Sequence, residues 1–235
     1  MTTLIEASPV GIPRFDLLIF DCDGVLIDSE RIAAELDARE LTAHGIPIST
    51  AVLAERFTGV MYADMYRVLE TETGVRLPHG FAKRTHELVL NACIADQSLA
   101  VPGVAAALDA LPLPRCVASS SSPDWLRRTL EAVKLFGRFA PHIFSAAEVA
   151  RGKPAPDLFL HAACRMKAEP ARCVVIEDSV AGVTAAVAAD MTPVGFVGTS
   201  LDPIRLAVCL RNSGATAIFD HMAQLPDVLT GLGSG

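Results

Sequence analysis

The sequence predicts an α/β protein: a Rossmann-like parallel sheet core with a helical bundle inserted into it. Three observations carry this reading. Leu17-Leu18-Ile19-Phe20 is an unbroken apolar run of strand length, the pattern of a strand buried on both faces. From Val101-Pro102-Gly103 onward, strand patterns alternate with helix patterns, which implies a parallel sheet covered on both sides. Between the two lie about seventy residues of helical periodicity alone. The core is therefore expected over residues 1–28 and 99–235, and the helical insert over 29–98.

The first strand ends at Asp21-Cys22-Asp23-Gly24. Side chains alternate in an extended chain, so the two aspartates point the same way and Cys22 points away. Gly24 permits a sharp turn. Carboxyl ends of strands are where open parallel sheets bind ligands. Two like charges about 4 Å apart repel by roughly 4 kcal/mol at an intermediate dielectric, so a positive partner is expected between Asp21 and Asp23.

Four helices follow. Ile32 and Leu36 open the first, which stops near Gly45-Ile46-Pro47, and Thr50 to Phe57 is a second. Met61, Met65, Val68 and Leu69 mark a third, ended by Gly74. His79 to Ala95 is the fourth, with Phe81, Thr85, Leu88, Val89 and Ala92 as its apolar stripe. Inserted directly after the aspartate loop, this bundle is placed to cover it.

The rest alternates. Helices are expected over Val104–Leu111, Pro123–Leu135, Pro156–Met166, Val180–Ala189 and Pro203–Arg211, with a last one from Met222. Strands are expected over Arg115–Ala118, His142–Phe144, Cys173–Ile176, Pro193–Val197 and Ala215–Phe219. The closing Gly231 to Gly235 reads as a frayed tail.

Three further strand or loop ends bear chemistry. Ser119-Ser120-Ser121-Ser122 follows the second strand; Ser122 reads as a helix cap before Pro123, and Ser119 is left free to donate to an anion. The helix after it reads as purely structural. In Gly152-Lys153-Pro154-Ala155-Pro156-Asp157, glycine and prolines hold a lysine rigidly, as a phosphate-neutralising ammonium requires. Glu177-Asp178-Ser179 is a second carboxylate pair at a strand end. Hard oxygen ligands without His or Cys suit Mg²⁺, and phosphoryl transfer needs a nucleophile, a cation, donors and an acid.

Net charge of −7 argues against a nucleic-acid partner. Asp190 and Pro193 interrupt the best apolar stretch, Val180 to Val197, so no membrane span is expected. The first fourteen residues lack the build of a secretory signal, and a cytoplasmic monomer is expected. The six cysteines show no zinc spacing and read as buried free thiols, and the histidines as surface or packing residues.

Taken in order, Asp21-Cys22-Asp23-Gly24-Val25-Leu26-Ile27-Asp28-Ser29, Ala118-Ser119-Ser120, Gly152-Lys153-Pro154-Ala155-Pro156-Asp157 and Ile176-Glu177-Asp178-Ser179-Val180-Ala181-Gly182 closely resemble the four motifs of the haloacid dehalogenase superfamily. The helical insert resembles the cap of its β-phosphoglucomutase-like and sugar-phosphate phosphatase branch. The resemblance implies that Asp21 is the nucleophile, forming an aspartyl-phosphate, and that Asp23 protonates the leaving oxygen and then takes a proton from water. It implies that Ser119, Ser120 and Lys153 hold the phosphoryl group. It also implies that Asp21, the Asp23 main-chain carbonyl and Asp178 bind Mg²⁺, with Glu177 a direct or water-mediated ligand. An acid at Asp23 argues against dehalogenation.

The cap loop around Gly59 is where the mutases of that branch grip the far end of their substrate, with a lysine before the glycine and an arginine three residues after it. Thr58 and Tyr62 stand there instead. Hydrolysis of a small phosphorylated metabolite, a sugar phosphate, is the expectation; a phosphohexomutase using the same intermediate is the alternative. The cap is expected to bend near Ser29 and Leu99-Val101.

Overall fold

Six strands form one parallel sheet in the order β3-β2-β1-β4-β5-β6. The computed structural model describes residues 15–57, 62–96 and 99–233. Along the chain run β1 (Leu17–Phe20), four helices α1 (Ser29–Ala43), α2 (Thr50–Phe57), α3 (Tyr62–Thr73) and α4 (Phe81–Ala95), then α5 (Val104–Ala110), β2 (Arg115–Ser119), α6 (Pro123–Ala132) and α7 (Phe136–Phe139). These are followed by β3 (Ile143–Ser145), α8 (Asp157–Met166), β4 (Cys173–Glu177), α9 (Val180–Ala188), β5 (Thr192–Phe196), α10 (Pro203–Asn212), β6 (Ala217–Phe219) and α11 (Leu225–Gly233).

The unbroken apolar run of β1 has the expected cause. Leu18 and Phe20 join Val117, Val174, Leu126 and Leu229 in a cluster on one face of the sheet, while Leu17 and Ile19 join Cys116, Val175, Phe159 and Ala186 on the other. Flanked by β2 and β4, this central strand has no face or edge left for water.

The insert of α1 to α4 has an apolar cluster of its own, built on Leu41, Ile46, Leu53, Met65, Leu69 and Phe81. Val89, Leu90 and Cys93 of α4 and Ile32 of α1 instead join the cluster on the sheet. The two connections to the insert pair with each other: Asp28 N–H donates to Leu99 O at 2.8 Å and Val101 N–H to Leu26 O at 3.0 Å.

Several expectations shift. The buried stripe of α4 is Phe81, Thr85, Val89 and Cys93, with Leu88 exposed, because successive fours keep one face where Leu88 falls outside it. The helix from Pro123 stops at Ala132, since Lys134 takes a left-handed conformation (φ 59°), and α7 is a separate turn. The last helix begins at Leu225, after a 3₁₀ turn at Met222–Gln224, and reaches Gly233 because Leu229 and Leu232 pack on the core. Of the cysteines, Cys164 is exposed and Cys209 half-buried, whereas Cys22, Cys93, Cys116 and Cys173 are buried as expected. Among the described residues, no helix is long and apolar enough to cross a membrane.

Candidate active site

Among the described residues, the stretches around Asp21, Ser119, Lys153 and Glu177 each lie at a strand end or in the loop that follows one. Asp21 follows β1 directly, and its N–H donates to Ile176 O of the neighbouring strand at 3.0 Å. Lys153 arrives from the loop after β3, where Arg151 is tied to Asp157 at 2.7 Å, and Glu177 closes β4. The Lys153 ammonium lies 2.6 Å from Asp21 Oδ1, 2.6 Å from Glu177 Oε1 and 4.9 Å from the centre of the Phe159 ring, over which it sits. The positive partner expected between Asp21 and Asp23 therefore bridges Asp21 and Glu177 instead. Both carboxylates are buried, and a cation between them offsets the cost of burying charge.

Glu177 is fully engaged. Its Oε2 accepts hydrogen bonds from Ser179 N–H at 2.8 Å and Ser179 Oγ at 2.9 Å. Ser179 also caps α9 through Gly182 N–H, and Gly182 leaves the space in which the Glu177 carboxylate lies. The Asp178 carboxylate is packed against Gly24, which holds a left-handed φ of 80°. Thr199 Oγ, in the loop after β5, donates to Gly24 O at 2.7 Å and fixes the same turn.

The carboxylate of Asp23 points into a different cradle. Ser29 Oγ donates to its Oδ1 at 2.6 Å, Trp125 Nε1 to the same oxygen at 3.0 Å, and Ser121 Oγ to Oδ2 at 2.6 Å. Trp125 stands on α6, the helix expected to be purely structural; that expectation is corrected. Ser119 is the last residue of β2 rather than the first beyond it, because it pairs with Ser145 of β3. It is buried, and its Oγ accepts from Ser121 N–H at 3.2 Å. Ser120 is exposed. Gly59 and Thr58 lie outside the described residues, as do the first fourteen residues and the last two.

Burial pushes the Asp21 carboxyl up to about 7, opposed by Lys153 and aided by the Glu177 and Asp23 charges. Asp178 is also raised well above the ordinary carboxylate range, by burial and then by the charges of Glu177, Glu30 and Asp21. Burial would lower Lys153, but Asp21 and Glu177 outweigh it and hold its pKa above the ordinary lysine value. Without a further cation, burial holds Asp21 and Asp178 toward their neutral forms; ionised together with Glu177 they would exceed what one ammonium neutralises, and a divalent cation beside Asp21 and Asp178 fits that need. Among the described residues, no three His, Cys, Asp or Glu side chains converge as a complete metal site, so main-chain and substrate oxygens would have to finish the shell.

A parallel sheet with carboxylates at its strand ends and a helical insert after its first strand defines an α/β core of the capped, Rossmann-like class. The chain belongs to the haloacid dehalogenase-like hydrolase family, whose sequence model matches residues 15–190. It is 27% identical over 215 residues to 6-phosphogluconate phosphatase of Escherichia coli (strain K12), covering 92% of this chain and 95% of that protein. A haloacid dehalogenase-like protein from Agrobacterium tumefaciens str. C58 has the same fold, with a TM-score of 0.85 and 39% identity over 93% of this chain and 99% of that one. A HAD family hydrolase from Deinococcus radiodurans R1, solved with bound phosphate and sodium, superposes with a TM-score of 0.79 at 31% identity, covering 94% of this chain and 97% of the other.

Proposed function

We propose that this hydrolase is a Mg²⁺-dependent phosphatase that cleaves a small phosphate monoester, a sugar phosphate, by way of an aspartyl-phosphate on Asp21. The observation that carries this reading is the buried Asp21–Lys153–Glu177 array at the end of the central strand. Phosphatases among the relatives support it, as does the phosphate held by the Deinococcus structure.

Asp21 attacks the phosphorus atom through a carboxylate oxygen, and the ester oxygen leaves with a proton from Asp23. Water then attacks the acyl phosphate, giving its proton to Asp23 and releasing inorganic phosphate. Lys153, aimed by Glu177, donates to the phosphoryl oxygens, with Ser119 and Ser120 on the neighbouring strand end. Mg²⁺ would be held by Asp21, Asp178 and the Asp23 main-chain carbonyl, while Glu177, its oxygens taken by Lys153 and Ser179, would reach it through water. When bound, the ion offsets the negative charge shared by phosphate and carboxylates. Residues 29–98 act as a cap that excludes bulk water and selects the substrate's far end.

The test is phosphate release from a panel of sugar phosphates, 2-phosphoglycolate and nucleoside monophosphates, with Mg²⁺ or chelator, for the native chain and Asp21→Asn. Metal-dependent release that disappears in Asp21→Asn is expected. A native chain inert on every ester overturns the reading, and conversion of glucose 1-phosphate with a bisphosphate primer would then point to a mutase.

A further inference from the structure

Trp125 is the chain's single tryptophan, buried at 6% exposure on core helix α6. Its indole touches two things of different origin. On one side Nε1–H donates to Asp23 Oδ1 at 3.0 Å. On the other, the His86 ring of helix α4 in the insert lies against it, with centroids 5.0 Å apart and planes tilted by 32°. Arg128, one turn further along α6, reaches Asn91 on α4 at 3.4 Å, so the same two helix faces are tied twice.

Asp23 is 102 residues from Trp125 in sequence, and an indole has one donor and no acceptor. A buried indole N–H finds a partner as a rule, but here the partner is the carboxylate to which the proposed mechanism gives both proton transfers. Two of the three donors to Asp23 depend on the insert: Ser29 opens α1, and Trp125 is braced by His86. Among the described residues, Ser121 is the donor that comes wholly from the core.

From this geometry we infer that Trp125 is a positioning residue for Asp23, and that His86 aims it from the cap. With α4 docked on α6, the imidazole fixes the indole plane and the N–H pins Oδ1. When α4 withdraws, the indole loses its backing, and the hold on the carboxylate slackens. The seating of the insert is thereby felt at the group that moves the proton, without His86 touching substrate. This inference rests on the phosphatase reading for its catalytic part and on the contacts alone for its structural part.

The single indole makes the test direct. In an ¹H–¹⁵N spectrum the Nε1–H gives one resonance. Its solvent exchange is expected to be slow in the native chain and faster in Asp23→Ala and in His86→Ala, with His86→Phe, which keeps a ring against the indole, restoring the native rate. In phosphate release, Trp125→Phe keeps the aromatic plate and removes the donor. Its kcat is expected to fall about 10-fold with KM little changed, as for loss of an interaction that matters in the transition state. His86→Ala is expected to show a smaller drop, roughly 3-fold, absent in His86→Phe.

Unchanged indole exchange in all variants, or native kcat in Trp125→Phe from an otherwise active enzyme, overturns the inference and leaves the phosphatase reading standing. A native chain that releases no phosphate from any ester, while indole exchange still responds to Asp23 and His86, overturns the reading of function and the catalytic part of the inference together.

Discussion

The ammonium of Lys153 sits 2.6 Å from Asp21 Oδ1 across 132 residues of chain, the lysine side chain 4% exposed and the aspartate 9%. Removing it leaves two buried carboxylates, Asp21 and Glu177, facing each other without a cation. Lys153→Met is expected to cost roughly 3–5 kcal/mol in urea unfolding and to abolish phosphate release. The double variant Lys153→Met, Glu177→Gln should recover part of the stability and none of the activity, a non-additivity that a mutant cycle reads directly.

Gly182 gives the opposite of the usual helix result. Alanine for glycine inside a helix is ordinarily worth up to about 1 kcal/mol in stability. Here an added Cβ would overlap the Glu177 carboxylate. Gly182→Ala is expected to lower Tm and, by pushing Glu177 off Lys153, to lower kcat; a raised Tm would contradict the packing described.

Metal binding should depend on pH through Asp21. Its carboxyl is raised from 3.8 to about 7 in the folded protein. The stability it contributes is whole below the unfolded value and is lost as pH rises through about 7, where the buried carboxylate ionises. Mg²⁺ held there as proposed would compensate that charge, so added Mg²⁺ is expected to raise Tm clearly near pH 8 and barely at about pH 5.5, against a chelator control.

A second carboxyl makes the insert itself sensitive to pH. Asp37 on α1 is 2% exposed, accepts a hydrogen bond from Tyr66 of α3 at 2.7 Å, and is pushed up to about 6 by burial. With a folded value above the ordinary 3.8, its contribution is complete in acid and disappears as pH rises through 6, a difference of about 3 kcal/mol. Asp37→Asn keeps the acceptor for Tyr66 and removes the charge. It is expected to raise Tm near pH 8 and to flatten the pH dependence between about pH 4 and 7.

The parts of the fold that repeat a local rule were legible in the sequence. The apolar runs of β1 and β4, the serine and proline start of α6, and the strand-end position of both carboxylate pairs stand as expected, because burial on two faces, capping and strand ends each leave a short-range mark, whereas Asp21 and Asp23 turn to different partners instead of sharing one. Partnerships across the fold were not. Lys153 and Glu177 were each singled out, yet nothing local says that they meet. Trp125 reads as one more apolar residue of an amphipathic helix, and its donor finds Asp23 only once β2 has been laid beside β1. Ser119 falls inside β2 because β3, the edge strand, supplies a partner in Ser145 that no local pattern announces.

The insert keeps Leu41, Ile46, Leu53, Met65, Leu69 and Phe81 in a cluster separate from those that hold the sheet. On the proposed reading of the insert as a cap, drift within that cluster would reshape what covers the strand ends and leave the packing of the sheet as it was. A lineage built this way would exchange one metabolite for another while inheriting its reaction whole.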